Sequence, residues 1–243
     1  MELVLPAAFV ALAAAGRFDP WEGRPYSSMT KEERAAIWAR REREILAWDG
    51  IELDRAPAEI AADPTPEWVR PGLVVFAGTG TGDQYAWYPR WQDGAPEPPI
   101  VLVIHDGGES ALFARDMSEL LARAMLEHYA QDRANRALFD AHLAIVRPHL
   151  CARDLARLDA PAPEACARAL DALTAEIPKR TLEAVMRPTK YAEEIIGDAE
   201  RLARLYERSE RFYRELVVDE GREELRAELD AVRANLDRVR AAR

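Results

Sequence analysis

The chain has 243 residues, 49% of them hydrophobic and 31% charged, a composition that can bury a core and excludes wholesale disorder. No apolar run reaches the roughly 20 residues of a membrane-spanning helix, and the longest, residues 3–15, follows Glu2 rather than a basic stretch, so neither a span nor a secretory signal is expected. The formal charge is −10, with 21 acids against 12 bases in residues 1–130, a balance that argues against a nucleic-acid partner and suits a basic protein.

Leu5-Pro6 opens a short helix whose apolar face is Phe9, Leu12 and Ala13, with Gly16 as its stop. Thr30 followed by Glu33 forms a capping box and predicts a second helix over 30–48. Strands follow at Leu73–Ala77, Gln84–Tyr88, Ile100–Ile104 and Ser110–Ala114. The gaps between them are too short for helical crossovers, so they predict an antiparallel meander. Asp116 caps the next helix, where Met117, Leu120, Leu121, Ala124 and Met125 recur at helical spacing and should pack on the sheet.

The texture changes near residue 130. All six Trp lie before it, and the remainder reads as helix throughout. We expect an α+β domain over 1–130 and an all-α region over 131–243, with helices near 132–150, 163–177, 180–187, 189–216 and 219–240. Leu225, Leu229, Val232, Leu236 and Val239 form a heptad-like stripe, preceded by a similar one at Leu202, Leu205, Phe212 and Leu216. The pair predicts a helical hairpin, with a homodimer seam as the alternative to packing within one chain. Cys151 and Cys166 are the only cysteines, so a reducing cytoplasm is the expected home.

The sharpest local motif is Gly78-Thr79-Gly80-Thr81-Gly82-Asp83. A phosphate cradle would need a helix immediately after it, whereas Gln84-Tyr85-Ala86-Trp87-Tyr88 reads as strand. A strand–turn–strand connection is therefore expected. The four histidines, His105, His128, His142 and His149, have no zinc-ligand spacing, and His105-Asp106 points to opposite faces if its strand persists. No catalytic set, metal or cofactor is expected. Aromatic residues gather around the meander, and an exposed ring beside Asp83 or Asp93 would make a protein-binding surface. The candidate contact residues are Asp83, Tyr85, Trp87, Trp91 and Asp93, with core packing the alternative for Trp68 and for one face of the 84–88 strand.

In order, the features are a Leu-Pro helix ending in Gly16, a Trp68-x-x-Pro71 segment before an apolar strand, Gly82-Asp83-Gln84-Tyr85-Ala86-Trp87, a strand ending in His105-Asp106, and a short strand meeting the capped helix at Asp116. Together they resemble the SUKH superfamily, whose domains are similar to the fungal Smi/Knr cell-wall regulators. The resemblance covers residues 1–130; residues 17–47 lengthen the minimal domain and the helical tail lies outside it. It implies a mostly antiparallel sheet with flanking helices and no catalytic chemistry. It also implies an immunity protein that neutralises a cognate bacterial toxin, a nuclease or a deaminase. The alternatives are a regulatory or scaffold protein acting through the helical tail, and a nucleotide-binding enzyme using the Gly78–Asp83 loop.

Overall fold

The computed structural model describes residues 4–19, 21–24, 28–46, 51–53, 56–62, 70, 72–79, 82–104, 110–131, 136–159, 163–182, 199–219 and 221–241. Within them the chain folds as α+β. The sheet has six antiparallel strands in chain order, β1 (Glu52–Leu53), β2 (Val74–Gly78), β3 (Gln84–Trp87), β4 (Ile100–Val103), β5 (Ser110–Ala114) and β6 (Thr181–Leu182). The strands from β2 to β5 form the expected meander, because their short connections permit hairpins and nothing else.

Helix α1 (Ala7–Ala14) starts after Pro6, whose missing N–H is no loss at that position, and ends before Gly16, which takes φ +65°. It lays Phe9 and Leu12 on the sheet. Helix α2 (Lys31–Arg41) carries the expected capping box: Glu33 N–H donates to Thr30 Oγ1 at 3.2 Å, and Thr30 N–H donates to Glu33 Oε2 at 2.8 Å. It stops seven residues short of the predicted end, because Ile45 and Leu46 turn inward to fill the core instead of continuing a helical face. Helix α3 (Pro57–Ala62) contributes Ile60 to the same core.

A bulge in β2 decides how the sheet packs. Val75 faces Ala86 and Ala77 faces Tyr85, so Phe76 is the extra residue and both Phe76 and Ala77 fall on the main core. Phe76 stacks on Trp87 at 4.0 Å between ring centroids, and Phe9 meets Trp87 edge-on at 4.9 Å. This aromatic knot fastens α1 to the middle of the sheet. Leu73, Val75, Ala86, Tyr88, Val101, Val103 and Leu182 occupy the opposite face, and they too are buried. The β2 strand is accordingly buried along its whole length and reads as a solid apolar run.

Helix α4 (Met117–Gln131) is the central helix. Asp116 caps it, accepting from Glu119 N–H at 2.8 Å. The predicted face, Met117, Leu120, Leu121, Ala124 and Met125, is buried, but so are Ala122, Leu126 and Tyr129. The reason is that α4 is covered on its far side by α5 (Arg136–Val146), α6 (Ala152–Leu158) and α7 (Pro163–Glu176). Phe139, Leu143, Val146, Leu158, Leu173 and Ile177 join the same hydrophobic cluster as Phe9 and Trp87. Core packing therefore runs straight across residue 130.

Three expectations for the second half need correction. The region is not all-α, because Thr181 and Leu182 form β6, pairing with Ala111 and Ser110 where a helix over 180–187 was predicted. Leu182 has the alternative reward of closing the second sheet face. Helix α6 fills the gap left between the expected spans 132–150 and 163–177. The predicted helix over 132–150 breaks at Arg147–His149, a 3₁₀ turn that accommodates Pro148. Helices α8 (Ala199–Arg214) and α9 (Arg226–Ala241) form the expected hairpin, joined by a π-helical turn at Glu215–Asp219 and a 3₁₀ turn at Glu223–Leu225. The two stripes bury each other: Leu202, Ala203 and Tyr206 pack on Val232, Leu236 and Val239.

Candidate interaction surface

The glycine-rich loop closes a hairpin. Gly78 pairs with Gln84, and Thr79 donates to the Asp83 carbonyl from its N–H at 2.9 Å and its Oγ1 at 3.1 Å. Gly82 takes φ +101°, a conformation only glycine adopts without strain. Strand β3 begins at Gln84, so the chain enters the sheet where an anion cradle would require a helix. Asp83 is half-exposed at this end of β3.

The five predicted contact residues separate into three environments. Trp87 is fully buried in the aromatic knot and Tyr85 is nearly so, and both belong to the main core. Neither presents a ring to a partner; the period of the strand puts them on the face that α1 and α4 cover. Around Tyr85 lie Phe113, at 5.3 Å between centroids, and the Arg123 and Glu127 charges of α4. Burial, with Glu127 adding to it, pushes the Tyr85 hydroxyl up to about 12. Arg123 lies 3.8 Å over the Phe113 ring and donates to the Phe113 carbonyl at 3.0 Å. Burial draws its pKa below the ordinary arginine value.

Trp91 and Asp93 lie beyond the other end of β3, at a corner of the molecule. A 3₁₀ turn at Pro89–Trp91 leads into Asp93 (φ +47°) and Gly94 (φ +80°). Gln92 braces the corner, its side-chain amide donating to the Ala95 carbonyl at 2.6 Å. Trp91 is half-exposed, with its ring edge-on to Tyr88 at 5.1 Å. Arg180, just before β6, pairs with Asp93 at 2.7 Å and sits 5.6 Å over the Trp91 ring. The Asp93 side chain remains 65% exposed. Arg180 joins this corner only because β6 pairs with β5, and no local pattern in the sequence announces it.

A second polar cluster escaped sequence reasoning altogether. Asp154 of α6 is fully buried and accepts from Ser118 Oγ at 2.7 Å, Arg153 Nε at 2.9 Å, Arg157 Nη1 at 2.6 Å and the Cys151 thiol at 3.1 Å. Burial alone would raise its pKa, but the hydrogen bonds from Arg153, Ser118 and Cys151 outweigh it and carry the carboxyl down to about 2. Glu119, also buried, is bound by Arg115 of the preceding turn, and Arg153 and Arg157 approach it within 3.8 and 3.9 Å. The network ties α4 to α6, and Arg157 extends it to Glu176 of α7. Its acids are already saturated with donors, so its chemistry is that of a fastening.

Among the described residues no group of three or more His, Cys, Asp or Glu could hold a metal ion. His142 is buried, its Nε2 2.8 Å from the Glu42 carbonyl, and its ring lies 6.5 Å from His128. His105, Asp106 and Trp68 lie outside the described residues. No helix of the described residues is long and apolar enough to cross a membrane. No family model, curated protein or solved structure matches this chain.

Proposed function

We propose that this chain is a non-catalytic protein-binding domain of the SUKH immunity type, acting in the cytoplasm to capture and neutralise a basic toxin. The observation that supports it best is the Trp91–Asp93 corner. An aromatic ring is held in one orientation beside an exposed carboxylate, with the backbone braced by Gln92. Such an anchor loses little conformational freedom on binding and is the kind of residue that dominates interface energetics. Arg180 already occupies Asp93, and an arginine or lysine of the partner would exchange with it at small cost, because so exposed a pair is worth little. The acidic excess of residues 1–130 would speed the encounter with a basic partner.

The test is co-expression with the toxin encoded beside the gene. Restored growth and a complex in pull-down are expected, both lost in Trp91→Ala/Asp93→Lys. A toxin that kills regardless of the chain, with no complex formed, removes this reading.

A further inference from the structure

We propose that the Trp91–Asp93 corner is an arginine-recognition site that the chain's own Arg180 fills at rest, and that a partner enters it by presenting an arginine in place of Arg180. The protein partner rests on the capture reading above; the preference for a guanidinium rests on the corner's own geometry.

Three groups meet the Arg180 guanidinium. The Asp93 carboxylate lies 2.7 Å from Nη1, the Trp91 ring centroid 5.6 Å from Cζ, and the Trp91 carbonyl oxygen 3.5 Å from Nη1. A carboxylate, an indole and a carbonyl acceptor suit a planar, weakly hydrated cation whose donors project from its edge. A lysine ammonium is a compact, strongly hydrated point charge, so it loses more water and gains less from the ring. Citrulline keeps the shape of arginine but has no charge, and so forfeits both the ion pair and the cation–π contact. The corner therefore favours arginine over both.

The cradle is fixed while its occupant is free to leave. Trp91 N–H donates to the Tyr88 carbonyl at 3.0 Å and Gln92 N–H to the Pro89 carbonyl at 3.1 Å, which closes the 3₁₀ turn under the ring. Ala95 N–H donates to the Gln92 carbonyl at 2.8 Å, so the next turn, which carries Asp93, is closed as well. Asp93 takes φ +47° there, a left-handed conformation that aspartate tolerates better than most residues. Arg180 is anchored through its backbone instead. Its carbonyl accepts from Leu112 N–H of β5 at 2.9 Å, Thr181 and Leu182 follow it into β6, and Ile177 before it is buried in the main core. The Arg180 side chain can swing off Asp93 without undoing any of these contacts.

Arg180 is then a built-in competitor. Its side chain is 40% exposed and that of Asp93 65%, so the pair closes only weakly. An exposed pair of ordinary strength keeps such a corner closed in about three-quarters of the molecules, and affinity for an outside arginine falls in proportion to the open fraction. Removing Arg180 should accordingly tighten binding about three- to sixfold.

The experiment titrates the full chain, its tryptophans isotope-labelled, with three blocked pentapeptides of sequence Gly-Gly-X-Gly-Gly, where X is arginine, lysine or citrulline. The Trp91 indole N–H resonance, assigned from Trp91→Phe, reports occupancy. A saturable shift is expected with the arginine peptide, about fivefold weaker binding with lysine, and no shift with citrulline. Arg180→Ala should tighten the arginine peptide about three- to sixfold, and Asp93→Asn should abolish its binding. The thermal melts of both variants should stay near that of the native chain, because the pair is exposed. The proposal is overturned if the lysine or citrulline peptide matches the arginine peptide on the native chain. It is also overturned if Arg180→Ala shows no saturable shift, or binds no tighter than the native chain, since Arg180 would then be a prop for the ring. A toxin captured by a chain whose Trp91 resonance ignores the arginine peptide overturns this inference and leaves capture standing. An arginine peptide that binds while the toxin kills regardless overturns capture and leaves the arginine site standing.

Discussion

Asp154→Asn removes one charge from the network between α4 and α6 while preserving side-chain shape. In the native protein the carboxylate is fully buried and accepts from four side chains, and Arg157 beside it is only 13% exposed. A carboxyl held at about 2 instead of the ordinary 3.8 stabilises the fold at neutral pH by about 2 kcal/mol. Arg157 loses the buried one of its close carboxylate partners but keeps Glu176, so the added loss stays below the about 3–5 kcal/mol of a fully orphaned buried charge. We therefore expect Asp154→Asn to lower stability by about 2–4 kcal/mol at pH 7, measured by urea unfolding followed by circular dichroism. The sign of the pH dependence follows from the depressed pKa. The contribution is complete above about pH 4, the unfolded value, and is lost as pH falls toward 2, the folded one. The gap between wild type and variant should accordingly shrink through that window to below about 1 kcal/mol. A gap under about 1 kcal/mol at pH 7, or one that stays constant in acid, would refute the assignment of Asp154 as the charged centre of this fastening.

Trp87→Ala should cost about 3–5 kcal/mol, as expected for emptying a large aromatic from a packed core, whereas Trp91→Ala, at a half-exposed corner, should cost under about 1 kcal/mol. Parallel thermal melts distinguish the two, and a similar loss at both positions would contradict their different burial. Glu215→Ala strips the fully buried Arg70 of a two-pronged ion pair, with contacts of 3.1 and 3.0 Å. Because Glu215 is itself 45% exposed, the loss should be about 2 kcal/mol. Faster amide exchange should be concentrated at the end of α8 and the π-helical turn, and uniform acceleration across the sheet would count against a local anchor.

Much of the architecture was legible along the chain, because it rests on interactions between near neighbours. The Thr30–Glu33 capping box, the Asp116 cap, the strand runs and the hairpin at Gly78–Asp83 each depend on residues within a few positions of one another. Alternation along β3 placed Tyr85 and Trp87 on one face, but it could not say that this face is the covered one. Burial depends on what α1 and α4 bring from elsewhere, and that turned two candidate contact residues into core.

Local pattern alone determined the fold class, the antiparallel order of the strands and the apolar stripes of the helical hairpin. Tertiary structure alone decided the reach of the core, the partners of the buried charges and which aromatic rings face outward. Residues after 130 looked separable because helices replace strands there, yet Phe139, Leu143 and Leu173 close the far side of α4, and Leu182 closes the second sheet face. The physical reason is range. Hydrogen bonds of caps and hairpins are set by short stretches of backbone, whereas Arg180 meets Trp91 from 89 residues away and Arg70 meets Glu215 from 145. Contacts of that kind exist only once the chain has closed on itself.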